Sequence, residues 1–479
     1  MKRSSSGSPL APAEAESVHR LSVSRLLSGS VWAFGGRGLG TVLALLINAF
    51  LARLLTPDQL GAYFLAFSVM TVLVLVAQLG GKPTMVRLVA ASRATDRDGR
   101  ARAAAGRVVL LGLLGSVTVG SAWWLLGGEL AGRLFESEDI GRVSGLIAIW
   151  VGVLALAELH TEGHRALGDI RAAVLLGWVA NNVVLVLVLA VVLVSGVSFG
   201  FRAALVVSIV GAAVTLLIGA GTLWRRLWAL PRGQIALREV LTVSMPLLGT
   251  HLLLFVVGQS GLWILGALRP EAEVALYGAA FRLVTVVKMP LLIANAVVPP
   301  FISDYHARGE IEALETTLRG TATVAALPAL VVLAAFAIAG GPILGVVFGD
   351  PYRDAALLLA VLSLGQAVNV WAGSADITLM LTGHQIPMLR VTAISGGAGI
   401  VGAIWAGSQY GAAGVAWAAA ATWLLQAILM LSLARRLVGV RPGASFAPAS
   451  LKAAYQLVMQ GLRGGAQGQG QGKGKRKRR

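Results

Sequence analysis

The chain has 479 residues, of which 56% are hydrophobic and only 13% charged, where a soluble chain of this length carries about a quarter charged residues. With a mean hydropathy of +0.78, this is the composition of a polytopic membrane protein. The absence of cysteine excludes disulfides, cysteine-held zinc and thiol catalysis, and the net charge of +18, 40 basic less 22 acidic residues, calls for an account of where the basic residues lie.

Residues 1–27 form a polar N-terminal tail without the apolar core of a cleavable signal peptide, so the first span is expected to act as its own insertion signal. Twelve apolar spans follow, each of roughly 20 residues, the length that crosses about 30 Å of hydrocarbon. They cover residues 28–52, 59–81, 104–127, 142–163, 171–195, 200–224, 240–268, 274–302, 319–340, 355–382, 388–409 and 411–434. Residues 82–103 read as a polar, arginine-rich linker. Residues 225–239, with Pro231 and Gly233, read as a cytoplasmic hinge between an N-lobe (28–224) and a C-lobe (240–437). The tail, 438–479, contains Leu451, Tyr455, Val458 and Leu462 at the spacing of one helix face, predicted to lie in the membrane interface. It ends in the low-complexity run GAQGQGQGKGKRKRR, expected to be disordered and to sit as a basic tail at an anionic surface.

Placing the N-terminus in the cytoplasm puts 31 Lys and Arg in the inside segments and 6 in the outside loops, and leaves Arg37, Arg282 and Lys288 within spans. That asymmetry predicts cytoplasmic termini. It also accounts for the net charge without nucleic acid, because basic residues beside anionic lipid are topological anchors. The outside loops are short, with no room for a folded domain.

The two halves echo one another. Pro57, Tyr63, Ala66 and Phe67 recur as Pro270, Tyr277, Ala280 and Phe281; Leu134–Phe135 recurs as Val347–Phe348; GVSFG (196–200) recurs as GSQYG (407–411); Gly163–His164 recurs as Gly383–His384. Matches in one order, with offsets from 211 to 220, imply a duplicated unit. With an even number of spans in each half the repeats are parallel, two six-helix lobes about a central cavity, an architecture of transporters that rock about a shared site. The predicted fold class is therefore all-α.

A charge inside a span costs about 2.5–3.5 kcal/mol and persists where it faces a cavity or a partner. Arg37 lies in the glycine-rich run FGGRGLG; Arg282 and Lys288 lie in the eighth span, six residues apart. Three cations with no clear carboxylate at mid-depth point to an anionic substrate, and a diphosphate suits the guanidinium fork; the alternative is a bond to carbonyls or snorkelling to an interface. Phe281, Lys288 and Asn295 fall on one helical face, so Asn295 joins Lys288 as a substrate-binding candidate, as do Gln259 and Asn369. Asn181 and Asn182 are further polar residues in spans, and interhelical hydrogen bonding is the alternative for all of them. Glu158 and Glu162, with Arg165, share a face at the predicted cytoplasmic mouth, and Asp376 lies near the end of the tenth span. They read as a gate or interfacial salt bridge, with proton or cation coupling as the functional alternative. His164 and His384 are expected to terminate helices, with His384 also a gating candidate. The run GGRGLG (35–40) matches a dinucleotide fingerprint only superficially, since it lies in a span with no preceding strand. No hydrolase, kinase or metal motif is found, so no catalytic residue, metal or cofactor is assigned.

Five segments carry a resemblance to a known family: LARLLTPDQLGAYFLAFSVM (51–70), VSMPLLGTHLLLFVVGQSGLWILGAL (243–268), YGAAFRLVTVVKMPLLIANAVVPPFISDYHARGE (277–310), VFGDPYRDAALLLAVLSLGQAVN (347–369) and LMLTGHQIPMLR (379–390). Together they resemble the polysaccharide flippases of the multidrug/oligosaccharidyl-lipid/polysaccharide exporter superfamily. The resemblance implies a bacterial inner-membrane protein that moves a polyprenyl-diphosphate-linked oligosaccharide to the outer leaflet, for exopolysaccharide, capsule or O-antigen synthesis. Membrane lipids, and a polysaccharide polymerase or other assembly proteins, are the partners it suggests. It also implies basic residues in a V-shaped cavity, with Arg282 at a position where relatives carry arginine. Where many relatives read QSDxWILG, this chain has Gly261, so a coupling or gating role for that carboxylate is not expected here. A cation-coupled drug exporter on the same fold, and a membrane polysaccharide polymerase or ligase, are the competing readings.

Overall fold

The computed structural model describes residues 35–445 apart from 37 and 136, without the side chains of 178, 296 and 297. The N-terminal tail, the amphipathic segment at 451–462 and the basic end lie outside the described residues.

The first half comprises α1 (Gly38–Leu54), α2 (Pro57–Gln78), α3 (Gly81–Ala94), α4 (Asp98–Phe135), α5 (Glu138–Arg142), α6 (Ser144–Ala166), α7 (Ile170–Val174), α8 (Asn181–Ser195) and α9 (Phe201–Trp228). The second comprises α10 (Leu237–Leu268), α11 (Glu271–Leu283), α12 (Thr285–Val297), α13 (Pro299–Arg308), α14 (Ile311–Phe348), α15 (Ala356–Ala372), α16 (Ala375–Leu381) and α17 (Gln385–Leu437). A π-helical turn, Leu175–Ala180, joins α7 to α8. Ten helical stretches are long and apolar enough to cross a membrane. With the shorter α1, and with α17 divided at Gly411, where the backbone leaves helical geometry, the described residues hold about twelve spans.

The duplication is visible in the helix ends. α4 and α14 are both 38 residues long and are displaced by 213 residues at each end (311 less 98, 348 less 135). Leu134–Phe135 and Val347–Phe348 end these two helices. Pro57 is the first residue of α2 and Pro270 the N-cap of α11. The glycine loop 196–200 separates α8 from α9, and its echo ends at the break at Gly411. One pairing shifts. Gly163–His164 is helical, inside the last turn of α6, whereas Gly383 is left-handed, with φ 85°, and His384 caps α17. The true counterpart is Gly168, with φ 84°, followed by Asp169 as the cap of α7. Left-handed backbone selects glycine, so the turn, rather than the Gly–His dipeptide, is what was duplicated.

Boundaries differ from the hydropathy reading where polar helix continues beyond the apolar slab. Hydropathy marks the hydrocarbon, and helix propensity carries α4 and α14 about 57 Å, well past it. Much of the expected linker 82–103 is likewise helical. Met85, Leu88 and Val89 of α3 pack there with Ala101, Ala104 and Ala105 of α4 and with Leu223 and Leu227 of α9. The second half builds its own cluster from Ile302, Leu314, Leu318, Leu379 and Met430. Large apolar side chains such as Leu125, Val194, Leu217 and Ile338 stay exposed, as a hydrocarbon-facing surface requires.

The two ends of the bundle are set by long-range polar contacts. At one end, Arg93 donates to the Leu167 carbonyl and Arg102 to Leu230, while Arg226 pairs with Asp169 and Arg100 with Glu239. Arg102 and Arg100 thus tie the start of α4 to the segment after α9 and to the first turn of α10, while Arg93 of α3 and Arg226 of α9 hold the turn between α6 and α7. At the other end, Arg53 donates to the Val346 carbonyl, and Arg269 to those of Gly407 and Ser408.

The halves meet along α2, α10 and α11. Because α2 and α11 are copies of one helix, two equal side chains would collide where they cross. The chain breaks that symmetry with Phe64 on α2 facing Gly278 on α11, where any Cβ would overlap the Phe64 ring. Gly61 lets the Glu271 backbone approach in the same way, and Gly266 admits Leu65. In lipid, helix association relies on close packing and interhelical hydrogen bonds, so these glycines set the seam. Gly278→Leu is expected to destabilise the folded protein by about 1–3 kcal/mol through overpacking, and Phe64→Ala in the same chain to restore much of the loss. Thermal unfolding of the detergent-solubilised single and double variants measures both.

Candidate functional site

Two cavities open inside the bundle, one in each half, and the duplicated aromatic pair lines both. In the first, of about 400 Å³, Tyr63 and Phe67 of α2 face Trp150 of α6, Asn48 of α1 and Ser208 of α9. Tyr63 stacks on Phe67 at 6.4 Å, Phe67 meets Trp150 edge-on at 5.8 Å, and the Tyr63 hydroxyl shares a 3.3 Å hydrogen bond with Ser208. In the second, of about 440 Å³, Tyr277 and Phe281 of α11 stack at 5.9 Å and line the wall with Trp423.

Arg282 crosses between them. It belongs to α11, in the second half, yet lines the first cavity. Its guanidinium carbon lies 3.5 Å from the Phe64 ring centre and 6.0 Å from that of Phe67. It donates a long hydrogen bond, 3.5 Å, to the Gly278 carbonyl. Among the described residues no carboxylate forms an ion pair with it. Cation–π contact recovers about 0.5–2 kcal/mol against an intramembrane cost of about 2.5–3.5 kcal/mol. The aromatic rings alone therefore do not offset the charge, which leaves the guanidinium able to take an anion from the cavity.

Glu158 lines the same cavity, held by Gln78 at 2.7 Å and by Lys82 at 3.2 Å. Hydropathy does not single out Gln78 and Lys82, whose i, i+4 spacing at the polar end of the second span is the signal the sequence carries for them. Glu162 pairs instead with Arg165 at 3.4 Å along α6 and does not line the cavity. Asn181 and Asn182 enter the cavity wall directly after the π-helical turn. Such turns recur at functional sites because they rotate the following side chains out of helical register.

In the second cavity the structure brings together Lys288, Asn369 and Asp376 with Gln366, Thr422 and Gln426. The expectation of cations without a carboxylate at depth is corrected here. The tenth span breaks after Ala372, and Asp376 in the first turn of α16 is exposed into the same cavity as Lys288. Gly261 also lines this cavity, and a Cβ there would come within 2.6 Å of the Tyr277 hydroxyl. Tyr277 therefore occupies the space beside Gly261 that a larger residue there would need.

Two further candidates lie elsewhere. Asn295 accepts a 2.5 Å hydrogen bond from Ser374 and is absent from both cavity walls. Of the three residues expected on one face, Phe281 and Lys288 line the second cavity, and Asn295, further along α12 beyond Pro290, does not. Gln259 on α10 is half-buried and lines neither cavity. His384 caps α17 with its ring 3.1 Å from Thr382, and His164 is buried against Gly219 and Thr222. Arg37 lies outside the described residues.

A helical bundle of two parallel repeats, each enclosing a polar-lined cavity, defines the class: a multi-pass membrane transporter. The chain belongs to the polysaccharide biosynthesis protein family, whose pattern it matches over residues 26–306. Solved structures share the fold. An inward-facing MATE family multidrug transporter of the MOP superfamily aligns with TM-score 0.72 at 17% identity, over 84% of this chain and 94% of that one. An outward-facing form of a MATE family transporter gives 0.59 at 19% identity, over 87% and 95%. A MOP superfamily transporter from Pyrococcus furiosus, described as having a binding pocket of reverse polarity, gives 0.61 at 17% identity, over 87% and 95%. No curated protein matches the chain.

Because the chain lacks cysteine, single cysteines report cavity access directly. Asn369→Cys and Lys288→Cys in the purified protein are expected to react readily with a charged methanethiosulfonate, and Asn295→Cys much more slowly. Mass spectrometry of the adducts measures the rates, and equal reaction at all three positions would contradict the cavity geometry.

Proposed function

We propose that this protein flips a polyprenyl-diphosphate-linked oligosaccharide across the bacterial inner membrane, for surface polysaccharide synthesis, by alternating access. The reading rests foremost on Arg282, a desolvated guanidinium carried by one half and presented to the cavity of the other. Its fork matches the oxygens of a phosphate group, so a diphosphate suits it, and a cation that spans the seam senses both a bound headgroup and the relative position of the halves. The amides, hydroxyls and aromatic faces of both cavities suit sugar rings, while the prenyl tail stays in lipid. The higher similarity to an inward-facing fold, 0.72 against 0.59, agrees with a state ready to load from the cytoplasm. The basic end would face the cytoplasm, with both termini there, and the 31-to-6 distribution of basic residues supports that orientation.

In this scheme headgroup binding draws Arg282 from the Phe64 ring, loosening the seam and allowing the halves to rock. Lys288 provides a second anion contact, and Asp376 beside it in the same cavity is a group through which a proton or cation can couple. The presence of Asp376 and Glu158 in the cavities favours, as the second reading, cation-coupled export of a small molecule.

In a strain deleted for the gene, Arg282→Ala is expected to leave surface polysaccharide at less than about a tenth of the wild-type level, with lipid-linked repeat units accumulating, as loss of about 1.5–3 kcal/mol of charge-assisted bonding implies. Arg282→Lys should restore it only in part. Gel analysis of surface glycan and mass spectrometry of the lipid-linked pool measure this. Unchanged glycan with raised sensitivity to cationic drugs would favour the exporter.

A further inference from the structure

A second basic site lies on the outside of the bundle, away from both cavities. At the end where α14 begins and α17 finishes, Arg319, Arg435 and Arg441 surround a depression of about 300 Å³ whose wall includes Trp371. The chain after α17 folds back to roof it. The Arg441 backbone amide donates to Glu315 at 3.1 Å, that of Ala444 to the Trp371 carbonyl at 2.8 Å, and that of Ser445 to Thr323 at 3.1 Å. Glu315 is occupied by this bond and by Arg319 at 3.1 Å, and among the described residues no carboxylate forms an ion pair with Arg435 or Arg441. The Nε of Arg319 is buried with no hydrogen-bond partner, while Arg435 and Arg441 are exposed.

Trp371 has a second neighbour. An apolar groove of about 220 Å³ begins at the same indole and runs between α14 and α15, lined by Ala326, Leu330, Leu333, Leu364 and Ala367. From Arg319 to Leu333, α14 rises about 21 Å, more than the depth of one leaflet, about 15 Å. A cationic pocket at a helix end thus continues, past Trp371, into an apolar groove between α14 and α15.

We propose that this pocket and groove form a binding site for one anionic diacyl glycerophospholipid, its phosphate among Arg319, Arg435 and Arg441 and an acyl chain in the groove beside Trp371. A free phosphate would fill the pocket and leave the groove without a function. A zwitterionic lipid would fill the groove and leave the arginines uncompensated. The bound lipid would pin the folded-back segment 440–445 to α14 and α15. This assignment does not depend on the flippase reading.

The test uses the full chain in nanodiscs of phosphatidylcholine containing brominated phosphatidylglycerol or brominated phosphatidylcholine. Quenching at Trp371 is taken as the difference between wild type and Trp371→Phe. The site predicts selective quenching by the brominated phosphatidylglycerol. It also predicts that Arg435→Gln/Arg441→Gln, at exposed positions that spare the fold, lowers the preference about 25-fold, about fivefold for each arginine at a membrane surface. Ala367→Phe, which fills the groove, should lower quenching by both brominated lipids. Equal quenching by the two lipids, an unchanged preference in the double variant, or displacement by inorganic phosphate would overturn the proposal. Displacement by a polyprenyl diphosphate at lower concentration than by unlabelled phosphatidylglycerol would also overturn it, assigning the site to the transported lipid.

Discussion

The structure depends on the contact of α2 with its own copy, α11. A duplicated unit that folds into two lobes must bring one helix of each together near the pseudo-axis, where equal side chains cannot share space. Phe64 fills what Gly278 leaves empty, and the same ring carries the Arg282 guanidinium at 3.5 Å. Packing, symmetry breaking and charge placement are joined at one aromatic ring. In lipid, where burial of apolar surface gives no net drive between helices, such a seam holds by shape and by polar contacts between the halves. The repeat equivalent of Arg282 on α2 is Ser68, which accepts a 2.8 Å hydrogen bond from Trp263 of α10. One copy therefore contributes a cation and the other a small hydroxyl, and the mismatch gives the interface a direction.

The cavities express the same logic of a shared frame with diverged chemistry. Tyr63 and Phe67, and Tyr277 and Phe281, supply matched walls. Around them one cavity holds Arg282 with Glu158 tied to Gln78 and Lys82, and the other holds Lys288 with Asp376. The tied carboxylate has its charge met by the protein, while Asp376 accepts one local bond, from the Ile377 amide. The two acids thus differ in setting: Glu158 of α6 is tied to α2 through Gln78 and to α3 through Lys82, while Asp376 faces the cavity beside Lys288.

Hydropathy and repetition made the fold legible. The twelve spans, the parallel duplication and the offset of 213 between α4 and α14 all follow from patterns that survive without coordinates, because a bilayer fixes span length and a copied helix keeps its ends. Cavity residues on straight helices were legible for the same reason, as Glu158, Lys288 and Asn369 show. What was not legible came from departures from straightness and from contacts between halves. Asn295 is engaged by Ser374 from across the bundle, the break after Ala372 brings Asp376 to Lys288, and Arg282 reaches a cavity built by the other half. A helical wheel describes one helix and has no information about the helix opposite.

The central claim is that function requires the halves to move against each other. Ser137 on the loop before α5 and Glu271 at the start of α11 line one depression at the end opposite the basic one, and the absence of native cysteine makes a locked variant specific. The direct test is the rate at which Ser137→Cys/Glu271→Cys, reconstituted in liposomes, translocates a fluorescent polyprenyl-diphosphate oligosaccharide before and after oxidation. The account predicts that the cross-linked protein stops translocating and recovers on reduction, with either single variant unaffected. Full translocation by the fully cross-linked protein would contradict it.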